Sequence, residues 1–345
     1  MQPVGRVKAG MEGSGPFRCD NARNVTPLNT CVLVDATIKK HIDDCVFGGQ
    51  GNWRSLPSGS INNVWRVMPE HGTDVVVRIG PSAEVVRRGP SWMRAHALGR
   101  EQHLLAFVRP TIVLIPATIA AGFPSDGQPW VVQEFIPGVP LSEALVGLSP
   151  DEQSQIWREV GRLLLRLQQI PVPWFGTPDG GERFPDWPSM VANDAVGLLG
   201  DARRMELPLE PFSVLSECVE RHHADLADVD RASVVHSDLD PRHLFVDRGD
   251  DGWRISGVID WEYGRFADPD SEGLLIDMID RPEDDPARVA FLDGFGPVDV
   301  SHVATNRRMI YRGIGLGWEL TDAVRRNDRV RRDEALAAFR DWANG

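Results

Sequence analysis

Three aspartates and two histidines fall close together late in the chain. They lie in Val234-Val235-His236-Ser237-Asp238-Leu239-Asp240-Pro241-Arg242-His243 and in Gly257-Val258-Ile259-Asp260-Trp261. Asp238 follows a short apolar run, where a loop carboxylate can meet a substrate hydroxyl, orient it and accept its proton. Asp260 ends the apolar pair Val258-Ile259, and a lone carboxylate is costly to bury there unless a cation meets it. Magnesium shared with nucleotide phosphates supplies that cation. His243 can offer a neutral ring nitrogen to the same ion, as a softer ligand than oxygen. His236 fits a bracing role through hydrogen bonds. Taken singly, these residues have plainer readings: a loop Asp capping its own turn, a strand-end Asp bonded to amides, a packed loop histidine. A base and a metal-binding carboxylate on consecutive strand-and-loop segments are what phosphoryl transfer requires.

The spacing H-x-D-x-x-x-x-H matches the kinase catalytic loop H-R-D-x-x-x-x-N, with His243 where asparagine would stand. Arg78 sits in Val75-Val76-Val77-Arg78-Ile79, where a kinase places its V-A-I-K lysine. Lysine occurs only at Lys8, Lys39 and Lys40, so any phosphate-gripping cation further along must be arginine. Arg78 can pair with phosphates or with Glu101 on the following helix; a solvated strand arginine and an exposed helical glutamate are the alternatives. The turn around Ser60 can set backbone amides over phosphates, or simply close a hairpin. The stretch Gln133–Ile136, with Gln133 and Phe135, is placed to offer hinge groups to a purine. There is no G-x-x-x-x-G-K-[ST], no G-x-G-x-x-G after a strand and no G-x-S-x-G elbow. His222-His223 would point about 100° apart on a helix, a poor metal pair.

The 345 residues are enough for one large domain or two lobes. Apolar content of 42% and charged content of 25% fit a soluble globular protein. A net charge of −13 argues against nucleic acid as a partner, since phosphate backbones reward Lys and Arg. It would suit a cationic small substrate, or simply a solvated acidic surface. No apolar run is long enough to span a membrane, and the N-terminus lacks a signal-peptide core. Cys19, Cys31, Cys45 and Cys218 form no C-x-x-C pair, which fits reduced thiols and a cytoplasmic location.

Residues 1–30 read as a loosely ordered leader. A helix is expected over Val34–Val46, then strands at Trp53–Leu56, Val64–Val67 and Val75–Ile79, with a helix over Ser91–Val108. Ile112–Ile115 and Trp130–Phe135 read as further strands, and Pro137-Gly138 as the crossing between lobes. Ser149-Pro150-Asp151-Glu152 predicts a capped helix start, with Ile156, Val160, Leu163, Leu164 and Leu167 as its buried stripe. Further helices are expected over Leu209–Leu226, Val303–Val324 and Arg331–Trp342, with two strands joined at Asp247–Gly252 carrying the chemistry. A strand-rich front and a helix-rich back predict an α+β fold. The division is a leader (1–30), a nucleotide-binding lobe (31–136) and a catalytic, substrate-binding lobe (137–345).

These motifs resemble the aminoglycoside phosphotransferase family of antibiotic kinases. Val235-His236-Ser237-Asp238-Leu239 is similar to its H-G-D-L, Gly257–Trp261 to its G-x-I-D-W, and Asp268-Pro269 to its D-P. The histidine of Asp240-Pro241-Arg242-His243 resembles the macrolide phosphotransferase branch, as do Ser60–Val67 and Arg78. Ser237 replaces the common glycine, and Glu272 stands where an aspartate usually follows D-P. The resemblance implies a two-lobed, protein-kinase-like fold and transfer of the γ-phosphate of ATP or GTP to a hydroxyl of an antibiotic-like small molecule. Asp238 would be the base, and His243 and Asp260 the Mg2+ ligands. A metabolic small-molecule kinase and a nucleotide-binding pseudokinase are the alternatives. Asp277, Asp280, Glu283, Asp284 and Asp285 could meet a cationic acceptor, but a solvated helix end explains them more simply.

Overall fold

A computed structural model describes residues 36–56, 61–93, 97–112, 114–123, 127–250 and 252–345. The expected leader and Ser60 lie outside the described residues.

Helix α1 (Ala36–Ile42) widens into a π-turn over Asp43–Phe47 before the first sheet. That sheet holds β1 (Gly51–Ser55), β2 (Asn63–Pro69) and β3 (Val75–Ile79), followed after helices α2 (Ala83–Arg88) and α3 (Ala97–Val108) by β4 (Thr118–Gly122) and β5 (Trp130–Glu134). The order is β1-β2-β3-β5-β4, antiparallel throughout, so β3 is central. Trp65, Val67, Val75, Val77, Ile79, Trp130 and Val132 pack with Ile42 into a core of their own.

The helix-rich part begins at β6 (Val139–Pro140) and α4 (Leu141–Ala144). Then come α5 (Pro150–Gln168), β7 (Phe175–Gly176), β8 (Arg183–Phe184), α6 (Trp187–Arg204), α7 (Glu210–Arg221) and α8 (His223–Ala227). Strands β9 (Ser233–Val235), β10 (Leu244–Gly249), β11 (Gly252–Val258) and β12 (Arg265–Ala267) carry the central motifs. Helices α9 (Gly273–Asp280), α10 (Pro286–Phe295), α11 (His302–Arg325) and α12 (Arg329–Asn344) complete the chain. The α+β, two-lobed, kinase-like architecture is the one expected.

The start of α5 follows from its sequence. Ser149 Oγ accepts from the Glu152 amide, the Glu152 carboxylate accepts from the Ser149 amide at 2.9 Å, and Pro150 fills the first turn. All five expected stripe residues of α5 are buried. Gly161 lets this helix lie against α10, because a Cβ there would sit 2.1 Å from the Phe291 carbonyl oxygen.

Several expectations need correction. Ile112–Ile115 forms no strand over its described residues: Ile112 and Ile115 are buried, and Leu114 uses its carbonyl to accept from the Val258 amide at 2.8 Å. The edge strand is instead Thr118–Gly122, whose small residues carry weak β propensity. The helix expected from Ser91 starts at Ala97 as described, since residues 91–93 form a turn. Leu209–Leu226 breaks at His222 into α7 and α8. Helix α6 had no counterpart in the sequence reading. It is capped by the Asp186 carboxylate, which accepts from the Ser189 amide at 2.9 Å.

Candidate active site

Strand β9 is fully buried and delivers His236 to the end of its sheet. The His236 ring is buried too; burial first, and then neighbouring His243, push its pKa down to about 3. The ring is therefore neutral. Its Nε2–H donates to the Ile259 carbonyl at 3.0 Å, leaving Nδ1 to accept from the Asp238 amide at 3.3 Å. One imidazole thus ties the loop before Asp238 to the strand end before Asp260. Ser237 takes a left-handed backbone with φ 67°, which accounts for the glycine common in the motif it resembles.

Glu272 holds this loop from below. It is 1% exposed, and its Oε2 accepts from the His236 amide at 2.8 Å and the Ser237 amide at 3.3 Å. Burial pushes its pKa up to about 7 against those bonds. No sequence signal marked this role; Glu272 stood out only as a departure from the usual aspartate.

Asp238, His243 and Asp260 come together, each offering a ligand atom within 4.8 Å of the others. The Asp240-Pro241-Arg242-His243 turn brings His243 round, its amide donating to the Asp240 carbonyl at 2.8 Å. His243 Nδ1 lies 2.7 Å from the Asp238 carbonyl oxygen and so carries the proton. That leaves the Nε2 lone pair toward Asp260 Oδ2, 3.5 Å away. Two adjacent ligands of an octahedral magnesium lie about 3 Å apart, so a small inward adjustment would let both hold one ion. Asp260 itself has φ 68°, ψ 50°, a turn that ends β11 and points its carboxylate out of the strand line. The Asp238 carboxylate keeps 43% of its side-chain surface accessible. Burial raises its pKa to about 6, with Asp260 adding and His243 opposing.

Arg78, next to last on β3, sits against this cluster. Its Nη1 donates to Glu101 Oε2 at 2.6 Å, and its Nη2 to Asp260 Oδ1 at 2.6 Å and to Glu262 Oε2 at 3.1 Å. Burial alone would depress its pKa, but Glu101, Asp260 and Glu262 outweigh that and raise it. Glu101 is fully buried, which raises its pKa against the pull of Arg78. Gln133 turns its side chain inward, with Nε2 3.4 Å from Glu101 Oε1. Phe135 lies under the Arg66 guanidinium, 4.1 Å from ring centre to Cζ. Sequence reasoning paired Arg78 with Glu101 but missed Glu262 and Asn62. The adjacent Asp-Trp-Glu triplet offered the only hint of the first.

Of the acidic stretch, Asp285 caps α10 through the Arg288 amide at 2.9 Å, and Asp280 pairs with Arg312. Among the described residues no helix is long and apolar enough to cross a membrane.

Accessible Asp238, the His243–Asp260 pair and buried Arg78 lie between an antiparallel sheet and a helical lobe, an arrangement suited to phosphoryl transfer. Residues 52–308 match the phosphotransferase enzyme family, APH, and the chain belongs to it. No curated protein matches. Among solved structures, a thermostable mutant of the aminoglycoside phosphotransferase APH(4)-Ia in ternary complex with ADP and hygromycin B aligns with a TM-score of 0.64 at 16% identity, over 89% of this chain and 98% of that one. The GDP complex of aminoglycoside 2'-phosphotransferase-IIIa aligns with a TM-score of 0.61 at 18% identity, over 89% and 96%. The gentamicin complex of APH(2")-IIa gives 0.63 at 17% identity, over 89% and 96%. At such identities the likeness establishes the fold.

Proposed function

We propose that this enzyme moves the γ-phosphate of ATP or GTP to a hydroxyl of a small antibiotic-like molecule, of macrolide, aminoglycoside or nucleoside type, giving resistance or self-protection. The observation that carries the reading is the meeting of accessible Asp238 with the His243–Asp260 pair. The antibiotic class is supported by the hygromycin B and gentamicin bound to structural neighbours.

In this reading residues 31–136 hold the nucleotide and residues 137–345 supply catalysis and the acceptor pocket. Asp238 orients the acceptor hydroxyl; the hydroxyl oxygen bonds to the γ-phosphorus as the bridge to the β-phosphate breaks, and the proton passes to Asp238. His243 Nε2 and Asp260 Oδ2 would hold magnesium, whose charge, when bound, offsets that of the phosphates. Arg78 keeps Asp260 Oδ1 occupied, so Oδ2 remains for the ion. His236 and Glu272 hold the loop on which Asp238 stands.

The test is magnesium-dependent phosphate transfer from ATP and from GTP across macrolides, aminoglycosides and nucleoside antibiotics. Phosphorylation of one class, lost in Asp260→Ala together with magnesium-dependent nucleotide binding, is expected. Tight nucleotide binding with no transfer to any acceptor would move the assignment to a metabolic substrate or a pseudokinase.

A further inference from the structure

Glu262 is a buried carboxylate that the proposed reaction does not use. It is 3% exposed, lies two residues past Asp260 on a 3-10 turn, and shares a crowded site with two other acids. Burying a third carboxylate beside one arginine is costly, since each acid left short of partners loses its hydration.

Three elements converge on it. Its Oε2 accepts from Arg78 Nη2 on β3 at 3.1 Å, and from Asn62 Nδ2, just before β2, at 2.5 Å. Its main-chain carbonyl accepts from Arg100 Nη2 on α3 at 3.0 Å. Asn62 is itself 7% exposed and stands 200 residues away in the chain. The Glu262 turn therefore gathers the start of β2, the end of β3 and the first half of α3 onto the segment that presents Asp260.

We infer that Glu262 is a positioning residue, which sets the Asp260 carboxylate for the metal–nucleotide complex through Arg78 and clasps the sheet to the catalytic segment through Asn62. The inference rests on the proposed function above. Its geometry is specific. Arg78 Nη2 lies between Asp260 Oδ1 and Glu262 Oε2, so the two acids together fix the plane of the guanidinium. A fixed guanidinium holds Asp260 Oδ1, and the opposite oxygen then faces His243 Nε2. Glu262 touches neither substrate nor ion in this scheme. Its effect belongs on metal–nucleotide affinity and not on acceptor affinity.

The experiment is calorimetric titration of magnesium with a non-hydrolysable ATP or GTP analogue into the wild type, Glu262→Ala and Asn62→Ala. Acceptor KM is measured alongside. Glu262→Ala should weaken magnesium-dependent analogue binding by roughly tenfold or more, the usual effect of removing a residue that orients a metal ligand, with acceptor KM unchanged. Asn62→Ala, which removes the clasp and leaves Glu262 on Arg78, should weaken the same binding by less, again with acceptor KM unchanged. Wild-type binding in Glu262→Ala, or a loss equal for analogue and acceptor, overturns the inference. Wild-type binding in Asn62→Ala overturns the clasp. If the wild type itself shows no magnesium-dependent binding, the functional reading fails instead, a result distinct from the others.

Discussion

Replacing Arg78 with alanine should unmask how much of this site is held by charge. Arg78 is 6% exposed and is the cation facing Glu101, Asp260 and Glu262 at 2.6, 2.6 and 3.1 Å. At the effective dielectric that describes such sites, each pair is worth about 4 kcal/mol at a charge separation of about 4 Å, before the cost of burial is subtracted. Removing one partner of a buried pair costs roughly 3–5 kcal/mol net, because the remaining charges are left without compensation. The carboxylates can escape part of that cost by taking up protons, and this gives the loss a pH signature. Arg78 lowers the pKa of both Glu101 and Glu262, and burial already holds them high, Glu262 at about 8. Without Arg78 both folded-state values rise further. A carboxyl whose folded pKa exceeds its unfolded one contributes stability below the unfolded value and loses it as pH climbs through the folded value. The deficit of Arg78→Ala should therefore be smallest near pH 5 and grow as pH rises through 8 to 9. Urea unfolding of nucleotide-free wild type and variant at pH 5, 7 and 9 measures it. A deficit under about 1 kcal/mol at pH 9, against the 3–5 expected for a broken buried pair, would refute the coupling, as would one that does not change with pH.

Asp238→Asn should lower kcat by roughly 10²–10⁴-fold, the range for a lost general base, while nucleotide binding by calorimetry stays near wild type. Glu272 has its pKa raised to about 7 by burial, so its stabilising contribution is complete below pH 4.5 and lost as pH passes 7. Glu272→Gln, which keeps an acceptor for the backbone amides, should flatten that part of the stability–pH curve, by up to about 3 kcal/mol. Urea midpoints at pH 5 and pH 8 that shift equally in wild type and variant would contradict this. Gly161→Ala should destabilise by about 1–3 kcal/mol or more by overpacking, since its Cβ would meet Phe291 and Phe295 backbone atoms at 2.1 and 2.8 Å. Thermal unfolding with unaltered nucleotide binding is the readout.

Much of the architecture was legible because it is locally encoded. The capping box at Ser149–Glu152 and the apolar stripe of α5 need no distant partner to declare themselves, and both appear where their spacing places them. The valine-rich β3 is similar: β-branched residues favour strands, and burial on both faces demands an apolar run. Where the reading failed, a distant contact decided. Ile112–Ile115 has the composition of a strand, yet its backbone is claimed by β11 through the Leu114 carbonyl. The weak run Thr118–Gly122 becomes a strand because β5 offers it a ladder.

The chemistry divides in the same way. Asp238, His243 and Asp260 stand out as candidates by type and spacing, and the structure brings the three together. The proton on His243 Nδ1, which frees Nε2, was not legible; it depends on a carbonyl five residues away brought round by a turn. Nor could spacing show that Arg78 joins Glu101, Asp260 and Glu262 in one cluster, or that Asn62 reaches Glu262 across 200 residues. Sequence alone determines which groups can titrate, ligate or donate, because that is a property of the side chain. Only the tertiary structure decides which of them meet, because burial and distance set the strength of every charge interaction and are properties of the packed chain.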